Sequence, residues 1–199
     1  MIRLVIFDIG NVLLKFDHRI TCRKLSAYSR YSPGQVYDVV FGGELIINYE
    51  QGKISSVNFF NIISKKLELN ISFEQFYPIW CEIFSYMEGM EEIVRSLEGK
   101  VKLFILSNTD ELHFGYIRNK YSIFEYFSSF ILSYEIGARK PDKSIYRKAL
   151  KLAQLTAEEA LFIDDIYENV TPFLNMGGKG IVFRGADNLK NDFKKYKLM

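Results

Sequence analysis

The 199-residue chain is 48% hydrophobic and carries 26 Lys/Arg against 24 Asp/Glu, for a net charge of +2. That apolar content supports a packed core and excludes a disordered chain, and the interspersed charges argue against a dedicated nucleic-acid surface. No apolar run approaches the ~18 residues of a membrane span, and the first run is cut by Asp8 with no small-residue cleavage site. Neither a transmembrane helix nor a signal peptide is expected, and a cytoplasmic monomer or homodimer fits.

The first element is the apolar run LVIF at residues 4–7. A continuous apolar run marks a strand covered on both faces. Residues from about 16 to 88 then read as helices without strand runs. Ser32-Pro33-Gly34-Gln35 places Ser at N-cap, Pro at N1 and Gln at N3, and Ser72-Phe73-Glu74-Gln75 repeats the capping logic. Ser55 caps a helix over 57–67 whose apolar face holds Phe59, Phe60, Ile63 and Leu67. Gly42-Gly43 marks a helix end or a tight bend.

After a helix at 90–97, strands are predicted at 101–106, 130–134, 160–163 and 180–183, with a helix over 142–152 and a capping box at Thr156–Glu159. Strand and helix in alternation imply an α/β fold with a doubly wound parallel sheet. The predicted division is a core of residues 1–15 and 89–199 with a helical insertion at 16–88. Cys22 and Cys81 are isolated and read as idle buried thiols, and most of the Tyr and Phe side chains read as core.

In a parallel sheet every strand C-terminus lies on one edge, where ligands bind. Asp8, Ser107 and the pair Asp164-Asp165 each follow an apolar run directly, and Lys140 lies in a loop that reaches the same edge. Taken singly, each has a plain structural reading as turn, cap or surface residue; their joint placement at strand ends does not. Carboxylates packed together repel, and a divalent cation removes the conflict. Oxygen ligands without His or Cys suit Mg²⁺. Ser107, Asn108, Lys140 and the helix start at Asn108-Thr109-Asp110-Glu111 then form a pocket for a phosphate dianion, leaving one Asp to attack phosphorus.

These motifs resemble those of the haloacid dehalogenase-like (HAD) hydrolase superfamily, along nearly the whole chain. LVIFDIGNVL is similar to its first motif, LFILSNT to its second, GARKPDKSIY to its third and LFIDDIYENV to its fourth. The resemblance implies a Rossmann-like core with an inserted helical cap, Asp8 as nucleophile, Ser107 on the phosphoryl oxygens and Lys140 balancing charge. It further implies Mg²⁺ on Asp8, the Gly10 carbonyl and Asp165, supported by Asp164 and Asn169. More narrowly, FDIGNVL, LSNTDELH and GARKPDKSIY resemble the branch with a bacterial α-D-glucose-1-phosphate phosphatase. The acidic pair resembles that of the phosphatase domain of soluble epoxide hydrolases.

Gly10 departs from this pattern, because most phosphatases of the superfamily carry there a second Asp that protonates the leaving group. A positioned acid is worth roughly 10²–10⁴ in rate, or about 3–5 kcal/mol of barrier. The loss matters least for a good leaving group, such as an anomeric sugar oxygen or a phenolate. Asp17 and His18 are the candidates for a replacement acid. The expected activity is therefore Mg²⁺-dependent hydrolysis of a small phosphorylated metabolite such as a sugar 1-phosphate. Two alternatives stand beside it: a phosphate-binding or regulatory protein with little turnover, which Gly10 would favour, and a 2-haloacid dehalogenase, which the acidic pair Asp164-Asp165 disfavours.

Overall fold

The computed structural model describes residues 1–199. Strand β1 (Leu4–Phe7) is wholly buried and leads through a tight turn to the short β2 (Leu14–Phe16). Five helices follow: α1 (His18–Ser26), α2 (Pro33–Phe41), α3 (Glu44–Glu50), α4 (Ser56–Leu67) and α5 (Phe73–Cys81). Strand β3 (Phe84–Tyr86) and helix α6 (Met90–Leu97) return the chain to the sheet. The remainder alternates: β4 (Lys102–Ser107), α7 (Glu111–Lys120), β5 (Ser129–Leu132), α8 (Ser133–Ile136), α9 (Lys143–Ala153), β6 (Ala160–Asp164), α10 (Tyr167–Leu174), β7 (Lys179–Val182) and α11 (Ala186–Lys195).

The five long-range strands form one parallel sheet in the order β5-β4-β1-β6-β7. The period of two along each strand sends alternate residues to opposite faces. Val5, Phe7, Leu103, Ile105, Leu161 and Ile163 pack with α6, α7 and α11. Leu4, Ile6, Phe104, Leu106 and Phe162 pack with α9 and α10. Burial on both faces explains why these strands read as unbroken apolar runs.

The inserted helices start where their capping residues predict. Ser32 and Ser72 close capping boxes with Gln35 and Gln75, and the Ser55 hydroxyl accepts from Asn58 N. Gly42 ends α2 and Gly43 begins α3, so both readings of that pair hold. The helices have their own apolar cluster, drawn from residues 22–81 and centred on Trp80, Phe59, Phe76 and Tyr49. Cys22 and Cys81 are free and buried within it. Burial pushes their thiols up to about 11 and about 12, which keeps them protonated and unreactive at neutral pH.

The stretch 16–88, expected to be mostly helical without strand runs, is mostly helical but ends in a short strand. β2 and β3 pair antiparallel, Phe16 opposite Phe84, as a two-stranded ribbon at the root of the insertion. Three-residue strands are too short to show a period, so only the pairing reveals them. No helix is long and apolar enough to cross a membrane.

Candidate active site

Asp8 continues β1 by one residue, and its N–H donates to Ile163 O at 2.9 Å. The register Phe7↔Ile163 therefore carries Asp8 alongside Asp164, and Phe7↔Ile105 brings β4 and Ser107 to the same edge. β1 lies between β4 and β6, so the chain leaves it in both directions, which is the switch point where doubly wound sheets bind ligands. Asp8, Ser107, Lys140 and Asp164 are all buried.

Lys140 holds the cluster together. Its Nζ lies 2.7 Å from Asp8 Oδ1 and 2.6 Å from Asp164 Oδ2. Burial alone would lower the Lys140 pKa, but the two carboxylates outweigh it and raise it. Asp8 is pushed up to about 7 by burial, against the pull of Lys140 and with the push of Asp164. Asp165 is raised too, by burial and by Asp164. One carboxylate oxygen from each of Asp8, Asp164 and Asp165 lies within 4.8 Å of the others. An all-oxygen, multiply charged set of this kind suits a hard divalent cation such as Mg²⁺.

The three carboxylates are not equivalent. Asp164 accepts from Lys140, from Asn169 Nδ2 at 3.0 and 3.2 Å, and from Ile166 N at 2.9 Å. Its lone pairs are occupied, so it steadies Lys140 and Asn169 rather than offering a free ligand. Asp165 has one long contact, from Asn11 Nδ2 at 3.4 Å, and is only half-buried. Asp165 is therefore the more available ligand of the pair. Asn169 is fixed from behind by Tyr146, whose hydroxyl donates to Asn169 O at 2.6 Å.

The structure adds two details to the expected phosphate pocket. The Asn108 side chain is engaged on both ends: Lys140 N donates to its Oδ1 at 2.7 Å and its Nδ2 donates to Lys140 O at 3.0 Å. It ties the Lys140 loop to the end of β4 and commits the carbonyl and one of the two amide N–H groups of the side chain. The start of α7 is also filled, because the N-cap Asp110 accepts from His113 N at 3.0 Å. A carboxylate on the first turn satisfies the helix dipole and repels phosphate. Gly10, Ser107 and Asn108 line a small cavity at this edge, with the Lys140 ammonium held behind it by Asp8 and Asp164.

Asp17 and His18 fare differently as proton donors. Asp17 is the half-buried N-cap of α1, and its hydrogen bonds from Arg19 lower its pKa, which suits a cap and not an acid. His18 is pushed down to about 4 by burial and by the charge of His113, so it is neutral at physiological pH. It does face a small cavity of about 70 Å³, whose walls include Gly10, Phe16, Glu50, Ser107 and Asn108.

Sequence reasoning missed several residues here. Asn11 adopts φ 53° in the turn after β1, a conformation Asn tolerates, and reaches Asp165. Glu50 on α3 pairs with Arg139 at 2.8 Å, joining the inserted helices to the residue before Lys140. The Phe16 ring covers Gly10: a Cβ at position 10 would lie 2.6 Å from Phe16 Cε1. None of these had a local signal except the motif neighbourhood itself.

His113 completes the wall behind His18. Its Nδ1 lies 2.7 Å from Asp110 Oδ2 and its Nε2 2.9 Å from Trp80 O. Both partners are acceptors, so both ring nitrogens carry protons and the ring is an imidazolium. Burial opposes both charges, yet the pairing raises the His113 pKa and lowers that of Asp110. The raised His113 adds stability fully below about 6.5 and loses it as pH rises through the folded value. The lowered Asp110 adds stability above about 3.8 and loses it as pH falls through its folded value. Urea denaturation of His113→Gln should thus show a loss of roughly 3 kcal/mol, largest between about pH 4 and 6.5 and smaller at pH 9. A loss independent of pH would mean that the pair is not ionised.

A parallel α/β core with a carboxylate and a buried lysine at its switch point defines a hydrolase-like site. The chain belongs to the haloacid dehalogenase-like hydrolase family, whose model matches residues 2–177. It is 23% identical over 208 residues to the drimenol cyclase drtB of Aspergillus calidoustus, covering 96% of this chain but only 35% of that protein. It thus spans about a third of that relative's length. It is 21% identical to the D-ribitol-5-phosphate phosphatase of Bacteroides thetaiotaomicron, covering 85% of this chain and 86% of the relative. A HAD family enzyme of B. thetaiotaomicron, solved in complex with magnesium and inorganic phosphate, superposes with a TM-score of 0.84 at 21% identity, covering 93% of this chain and 96% of that one. The shared architecture is the fold.

Proposed function

We propose that this hydrolase is a Mg²⁺-dependent phosphatase acting on a small phosphorylated metabolite through an aspartyl phosphate on Asp8. The observation that carries the reading is the buried Asp8–Lys140–Asp164 cluster beside the freer Asp165. A similar fold crystallised with magnesium and phosphate, and a similar protein named for a phosphatase activity, agree with it.

In this scheme Asp8, the Gly10 carbonyl and Asp165 would hold the metal, which would supply positive charge beside the phosphoryl oxygens and favour an ionised Asp8. Ser107 and Lys140 orient the phosphoryl group, and Asp8 attacks phosphorus as the ester oxygen departs. Water then cleaves the acyl phosphate, releasing inorganic phosphate and restoring Asp8. Asp164 and Asn169 keep Lys140 in place. The inserted helices, anchored by Glu50–Arg139, shield the site from bulk water.

Neither Asp17 nor His18, both with lowered pKa values, holds a proton to give at neutral pH, so the leaving group departs with little protonation. Sugar 1-phosphates and phenolic esters are the substrates this favours. Phosphate release from p-nitrophenyl phosphate and a sugar-phosphate panel, with Mg²⁺ and with EDTA, tests the reading: release should require Mg²⁺ and rank with leaving-group acidity. The bare Gly10 also favours a second reading, a phosphate-binding protein with little turnover. Tight phosphate binding with no release from any ester would select it.

A further inference from the structure

The small cavity at Gly10, Ser107 and Asn108 has room for little more than a phosphoryl group, since a water occupies about 30 Å³. The rest of a substrate must lie elsewhere. A second, open cavity of about 760 Å³ begins at Asn11, beside Asp165, and runs between α1 and α2. Phe16 and His18 line both cavities, so they stand at the junction.

The Phe16 side chain is placed as a platform. Its ring rests on Gly10, where any side chain would collide with it. Its edge is set by His18 at 4.8 Å between centroids and by Phe84 across the ribbon at 6.1 Å. His18 is stacked in turn on Phe41 at 4.2 Å, so the platform has an aromatic backing and little freedom to move. Tyr37 stands on the same open cavity, 44% exposed, with its ring 5.2 Å from that of Phe41. Of the polar side chains beside the junction, Asp17 and Arg19 satisfy each other at 2.9 Å, which leaves the buried His18 Nδ1 as a single unpartnered atom, while Arg23 and Asp38 also line the open cavity. A hydroxyl-rich leaving group would need convergent unpaired donors and acceptors there; a flat apolar one needs a ring to stack on.

We propose that Phe16 and Tyr37 form the leaving-group site and select phosphomonoesters of aromatic alcohols over those of sugars and polyols, with Phe16 as the specificity-determining residue. The proposal rests on the phosphatase reading above and narrows its substrate class. It also gives Gly10 a second reason: the glycine makes room for the ring, and an aryl oxide is the kind of leaving group that departs without an acid.

Binding separates this proposal from the reading beneath it. In an Asp8→Asn background, where the ester is not turned over, titration calorimetry with Mg²⁺ present would compare 1-naphthyl phosphate, α-D-glucose 1-phosphate and inorganic phosphate. Naphthyl phosphate should bind more tightly than glucose 1-phosphate. Phe16→Leu and, separately, Tyr37→Ala should each weaken naphthyl phosphate about tenfold and leave inorganic phosphate within twofold. Because Tyr37 is exposed, its variant guards against a folding defect at Phe16. With Asp8 intact, Phe16→Leu should raise KM for naphthyl phosphate more than it lowers kcat. Glucose 1-phosphate binding the tighter, or equal losses for all three ligands, would overturn the proposal whether or not the enzyme turns over. Absence of Mg²⁺-dependent turnover in the parent protein would instead remove the phosphatase reading.

Discussion

Asp8→Asn is expected to abolish phosphate release while leaving the fold intact. Asn matches Asp in shape, so the edge of β1 and its bond to Ile163 O are kept. An amide oxygen carries no charge to attack phosphorus, and the covalent route closes. Loss of a nucleophile costs about 10³-fold or more. Stability should not fall in step, because the substitution also removes a repulsion between Asp8 and Asp164 that helps push Asp8 up to about 7. Thermal denaturation is the control, with Tm expected within a few degrees of the parent. Mass spectrometry of rapidly quenched parent enzyme should find the phosphoryl group on the peptide containing Asp8. Activity above about a tenth of the parent in Asp8→Asn would show that another group attacks.

Lys140→Met carries the second large effect, and it falls on stability as well as activity. Lys140 is 2% exposed and is the cation between Asp8 and Asp164. Methionine keeps most of the length of the side chain and removes the charge. Two buried carboxylates then face each other, and breaking a buried pair in this way costs about 3–5 kcal/mol. For a domain near this size each kcal/mol moves Tm by about 2–4 °C, so a fall of about 10 °C is expected. Mg²⁺ should recover more of that fall than it adds to the parent, because it neutralises the same oxygens. The check is differential scanning fluorimetry with Mg²⁺ and with EDTA. An unchanged Tm in EDTA would mean that the carboxylates are neutral, or solvated, without the lysine.

The motif residues were legible because a parallel sheet converts sequence into position. An apolar run of four to six residues has one C-terminal end, and every such end lies on the same edge. Asp8, Ser107 and Asp164 could therefore be placed together before any contact was known. Helix starts were legible for a local reason as well: the N-cap hydroxyl and its N3 glutamine lie three residues apart. Ser32 and Ser72 form those boxes as read.

Asn108 and Asp110 show where that reasoning stops. Both belong to the motif at the end of β4 and looked like anion donors or a free helix start. Their side chains are committed elsewhere, Asn108 to the distant Lys140 and Asp110 to the distant Trp80 as well as to His113 one turn on. A polar side chain near a site binds a ligand only if no buried partner claims it first, and such partners depend on the packing of α5, α7 and the Lys140 loop.

From sequence alone follow the strands and their parallel sheet, the capped helices between them, and the carboxylate–lysine cluster at the strand ends, because each depends on spacing along one segment or on chain direction. Tertiary structure alone decided which partners fill the Asp164 carboxylate, that Glu50 meets Arg139, and that Phe16 lies on Gly10. Those outcomes depend on pairings between β2 and β3, α3 and the Lys140 loop, and β6 and α10, which no local pattern encodes.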